Sequence, residues 1–125
     1  MMNDFNKMNL QLTLNGKQHS ITITKDVILL LGIPSHIVFM KGLDGKSIAV
    51  RPCEPEEILS LEVPEQSTWT KNTHFRFYSK IFVHELLQNN GYGIEESCKM
   101  SGVYGEKWNV VYFRQDDFME FGQTG

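Results

Sequence analysis

The 125 residues contain no long hydrophobic run. The longest uninterrupted apolar stretch is Val27 to Leu31, far short of the roughly 20 residues a membrane-spanning helix needs, so no membrane partner is expected. Cysteine is scarce as well. Cys53 and Cys98 stand apart, with no CxxC and no neighbouring His pair, which argues against a zinc site. Residues 1–7 lack a basic segment followed by an apolar one, so we expect no secretion signal, a cytoplasmic chain and two reduced thiols. The sequence leaves open whether Cys53 and Cys98 are paired. An excess of base is missing too. Lys plus Arg is 12 against 15 Asp plus Glu, a formal −3, which argues against a whole-surface polyanion binder and leaves room for a local basic patch.

Signatures of catalysis are equally thin. His19, His36, His74 and His84 show no HxH or HxxxH spacing, and Glu85 beside His84 would point elsewhere on a helix. The serines lack a GxSxG setting. The glycines fall at turn points, where positive φ explains them better than phosphate binding does. No catalytic residue, metal or cofactor is expected.

What is present is the composition of one globular domain, 41% hydrophobic and 11% aromatic. Charge divides the chain. Residues 1–53 hold six bases against three Asp, and residues 54–66, which include Pro55 and Pro64, hold five Glu and no base. We read residues 1–125 as a single domain: a first arm at 9–53, an acidic linker at 54–66, a second arm at 67–114 and an acidic-aromatic tail at 115–125. Within the linker, Ile58, Leu59 and Leu61 are expected to pack down around a short turn.

In the first arm, alternation at Leu10–Leu14 and Ser20–Thr24 around Asn15-Gly16 predicts a hairpin. Thr24 is placed to cap a short helix, Lys25 to Leu31, which Gly32 stops. Ile37–Met40 and Ser47–Arg51 then form strands about a Leu43–Lys46 turn. The second arm runs in the same order: strand His74–Tyr78, Ser79 as cap, helix Lys80–Gln88, then strands Cys98–Gly102 and Trp108–Phe113 about Gly105-Glu106-Lys107. Strand, helix, strand, strand ending in Arg occurs twice, a repeat of pattern. The expected core is Ile21, Ile23, Val27, Leu30, Leu31, Val38, Met40, Ile48 and Val50 in the first arm. In the second it is Phe75, Phe77, Phe82, Leu86, Trp108, Val110 and Tyr112.

Residues 21–52 resemble the swapped-hairpin module of the AbrB/MazE family, through Lys25, Leu31-Gly32-Ile33, Asp44-Gly45-Lys46 and Arg51-Pro52. The second arm joins the resemblance only through the repeat. The fold it implies is α+β and mostly antiparallel: an AbrB-like barrel built from two strand–helix–hairpin repeats in one chain, which is then a monomer or a homodimer. In that family the barrel binds DNA. The chain departs from it where Ile28 and Leu29 replace basic helix residues and Pro34-Ser35-His36 replaces a Pro-Gly-Asp turn.

The first functional expectation is therefore a small DNA-binding regulator. In it Lys25, Arg51, Arg76, Lys80 and Arg114 share one surface, and the acidic linker faces away from it. The alternative is a non-enzymatic protein-interaction module that has lost DNA binding and docks a protein through the linker and tail, with Phe118, Met119 and Phe121 as contact residues.

Overall fold

A computed structural model describes residues 8–115. Eight strands and two helices follow one another as β1 (Gln11–Asn15), β2 (Ser20–Thr24), α1 (Lys25–Leu30), β3 (His36–Lys41), β4 (Ile48–Pro52), β5 (Leu61–Glu62), β6 (His74–Tyr78), α2 (Lys80–Asn89), β7 (Ser97–Gly105) and β8 (Val110–Arg114). The strands form one sheet in the order β5-β3-β4-β8-β7-β1-β2-β6, and every pairing is antiparallel. The sheet curls until its two edges nearly meet: Phe39 of β3 and Phe77 of β6 touch edge to face with ring centroids 5.6 Å apart. The result is an α+β, nearly closed barrel.

The hairpins arise from local chemistry. Asn15 Oδ1 accepts the Gln18 N–H, tightening the β1–β2 turn. Positive φ falls on His19, at 56°, and not on Gly16, where the alternation and the Asn-Gly pair suggested it. Gly16 is there for space. A Cβ on it would lie 2.0 Å from the Ile94 carbonyl oxygen, and its N–H bonds the Glu96 carbonyl at 2.8 Å, docking the loop after α2 onto the turn. In the β3–β4 turn Asp44 Oδ1 accepts the N–H groups of Lys46 and Ser47 and the Ser47 hydroxyl.

Each helix covers one end of the barrel. α2 buries Val83, Leu86 and Leu87, and meets the β1–β2 turn through His84 and the β3–β4 turn through Asn89 and Asn90, which donate to the Gly45 and Lys46 carbonyls. α1 buries Val27 and Ile28 at the other end, where Asn109 of the β7–β8 turn reaches the Leu31 carbonyl. Neither cap residue bonds its own helix through its side chain. The Thr24 hydroxyl instead donates to the Asn9 carbonyl and accepts the Gln11 N–H, tying down the segment before β1.

Several expectations are corrected. The acidic linker contains β5, and there Leu61 and Val63 pack inward while Ile58 and Leu59 are exposed. Met40, Trp108 and Tyr112 lie on the outside. The inward residues of β3 and β8 are Ile37 and Phe39, and Val111 and Phe113. Both strands are apolar on both faces, so alternation does not choose between registers one residue apart. Phe113 settles β8 by lying against Gly102, where a Cβ would sit 2.7 Å from its ring. Leu30 and Phe82 are half-buried. Cys53 and Cys98 are free thiols.

Candidate functional site: the open seam

The seam between the two sheet edges is defined by unmade backbone bonds. Just after β6 the Ser79 N–H bonds the His19 carbonyl, and the β2–β6 register carries that pairing to Ile21↔Phe77 and Ile23↔Phe75. Antiparallel ladders alternate, so the N–H and C=O groups of His74, Arg76 and Tyr78 point away from β2, toward an edge with no partner strand among the described residues. On the opposite side, Cys53 N–H to His36 carbonyl and Gly42 N–H to Ser47 carbonyl fix the β3–β4 ladder. By the same alternation Phe39 presents its backbone groups outward. β5 pairs with β3 only at His36 and Ile37, because the chain turns at Leu59, whose φ is 72°.

Two clefts lie end to end along this seam and share Phe77. One, of about 290 Å³, runs between Glu62 and Pro64 on one wall and His74–Phe77 on the other, beneath Trp69. Trp69 is held by its indole N–H on the Pro64 carbonyl and by its ring against Phe75. The second, of about 400 Å³, is apolar and lined by Phe39, Leu59, Leu61, Phe77, Ile81 and Phe82. Three exposed large apolar residues line it: Leu59, Tyr78 and Ile81, with Leu59 76% and Ile81 80% accessible.

The seam's charges are unevenly matched. Glu85 at the apolar cleft is ion-paired with Lys41. Arg76 and Lys80, on and just after β6, have no ion-pair or hydrogen-bond partner among the described residues. Glu62 lines the far wall from Arg76 without forming an ion pair with it.

The five bases expected on one surface are dispersed. Lys25 and Arg51 fall toward the α1 end, Lys80 and Arg114 toward the α2 end, and Arg76 midway along the outer edge of β6. Lys25 is spent on the carbonyls of Thr70 and Lys71. Arg51 is bound by the acidic linker itself, with Glu57 Oε1 3.0 Å from its guanidinium, so the linker folds onto this base and not away from it. That hydrogen bond raises the Arg51 pKa and holds Glu57 below the usual carboxylate range. Burial pushes the neighbouring Cys53 thiol up, which suits an unreactive packing residue. Phe118, Met119 and Phe121 lie outside the described residues.

Sequence reasoning missed the seam. Its lining residues come from β2, β3, β5, β6 and α2, which no local pattern in the sequence brings together. Among the described residues no group of three His, Cys, Asp or Glu side chains could hold a metal ion, and no helix is long and apolar enough to cross a membrane. No family model matches the chain, and no curated protein and no solved structure matches it either.

Proposed function

We propose that this chain is a non-enzymatic protein-interaction module whose binding surface is the open seam. The observation that carries the reading is the apolar cleft of about 400 Å³ flanked by exposed Leu59, Tyr78 and Ile81 beside a strand edge that is unpaired among the described residues. Exposed apolar residues are common singly; a concave cluster of them marks an interface. Leu59 adds weight, because a leucine held at positive φ with its side chain in solvent costs folding free energy and gains nothing by burial.

The DNA-binding reading asks for bases that converge and a linker that faces away, and neither condition is met by Lys25, Arg51, Lys80 and Arg114 as they lie. The AbrB/MazE resemblance bears on architecture. In support of a two-copy barrel stand the recurrence of strand–helix–strand–strand and the pairing of corresponding strands with each other, β2 with β6 and β4 with β8. That resemblance rests on residues 21–52, and we carry the family's fold to this chain without its DNA contacts.

The test uses the full chain in its own cells with a photo-crosslinking phenylalanine analogue at Ile81, or at Lys17 on the β1–β2 turn as control. A discrete, saturable protein adduct from position 81 and none from position 17 is expected. Equal labelling at both positions, or adducts with nucleic acid, overturns the reading.

A further inference from the structure

Resting on the seam as the binding surface, we infer that its occupant is an extended strand of a partner protein with an acidic residue between two apolar ones, which pairs antiparallel with the free edge of β6. Three observations converge on that chemistry. First, the groups on offer are backbone groups: His74, Arg76 and Tyr78 present N–H and C=O along the edge that have no partner among the described residues. An added strand satisfies them by the ladder geometry that β2 already uses on the other side. Second, the two clefts follow β6 along its length, and Phe75 and Phe77 face inward while Arg76 faces out. Side chains directly opposite each other across an antiparallel pair lie on the same face. The partner residue opposite Arg76 therefore stands outside with it, and its two neighbours turn inward toward Phe75, Phe77 and the apolar cleft. Third, Arg76 and Lys80 are without an anionic partner among the described residues, so the outward residue is an acid.

The same charge argues against a second copy as the occupant. Two β6 edges paired about their centre would set Arg76 against Arg76, and like charges directly opposite are destabilising. A cation on an exposed edge also discourages indiscriminate pairing. What remains admissible is a strand that brings the opposite charge.

The probe is a fluorescein-labelled nonapeptide, Thr-Val-Thr-Leu-Glu-Val-Thr-Val-Thr, titrated against the full chain by anisotropy. Saturable binding is expected. Replacing the central Glu by Lys should weaken it about fivefold or more, and in the Arg76→Glu chain the preference should reverse, so that the Lys peptide binds tighter. N-methylating the peptide nitrogens on one edge should cost about tenfold or more, and on the other edge far less, because only one edge meets β6. Four results overturn the inference. Binding indifferent to both N-methylated forms means that apolar contact alone suffices. Arg76→Glu that promotes self-association with no change of peptide preference means that Arg76 only guards the edge. Binding that appears only in the Phe121→Asp chain means that the seam is taken by the chain's own tail. No binding of any peptide, while position 81 still crosslinks a protein, refutes the strand mode and leaves the interaction module standing.

Discussion

Leu59 occupies a backbone conformation that glycine adopts without cost, and its side chain is three-quarters exposed at the mouth of the apolar cleft. Folding alone favours Gly there. We expect Leu59→Gly to raise the urea midpoint by a margin worth about 1 kcal/mol while weakening peptide binding, two changes that a purely structural leucine would not couple. Asp44 illustrates the opposite economy. Its carboxylate accepts the N–H of Lys46 first, then that of Ser47, and those bonds hold its pKa below the ordinary value. A depressed carboxylate contributes stability above its unfolded pKa and loses it as pH falls through the lower folded one. Asp44→Ala should therefore cost about 1 kcal/mol at neutral pH. The gap to the parent chain, read from denaturation midpoints, should stay constant from neutral pH down to about 5 and close below about 4. At Gly16 a methyl group has nowhere to go but into the Ile94 carbonyl. Gly16→Ala should displace the loop after α2 and cost about 2–3 kcal/mol, measured by chemical denaturation.

Among the elements, the strands and helices whose chemistry is local were legible in the sequence. The alternation of β2 and β6, the turn at Asp44-Gly45 and the helices beginning at Lys25 and Lys80 fall where period and punctuation place them. Strands apolar on both faces were not. Val110-Val111-Tyr112-Phe113 reads equally well in either register, and the choice depends on Gly102 in a neighbouring strand opening room for Phe113. β5 was hidden for a related reason: two residues in a proline-bracketed acidic stretch become a strand only because β3 offers Ile37 and His36 to pair with. The candidate site was illegible for the same cause at larger range, since Phe39, Leu61, Phe77 and Ile81 meet only when the sheet curls. Gly102→Ala tests how far β8 depends on that room. It should push Phe113 off its seat and cost about 1–3 kcal/mol, with the NMR shifts of the ring and of its cross-strand partner Ile48 moving while the β1–β2 turn stays unperturbed.

At the scale of the molecule, the bases expected to meet DNA are dispersed over both ends of the barrel and its side, and Arg51 is neutralised by Glu57. Duplex titrations at low ionic strength should show no saturable complex, and the Arg76→Ala, Lys80→Ala double variant should behave toward duplex as the parent does. A complex whose affinity falls steeply with salt would reverse that expectation. Among the described residues the two helices bury Val27 and Ile28 at one end of the barrel and Val83, Leu86 and Leu87 at the other, and the clefts open on the flank. A sheet that one chain curls by itself has one pair of loose edges, and those edges leave a single berth. Occupancy should therefore titrate at one partner strand per chain, without cooperativity and at a midpoint that does not move when the chain is diluted.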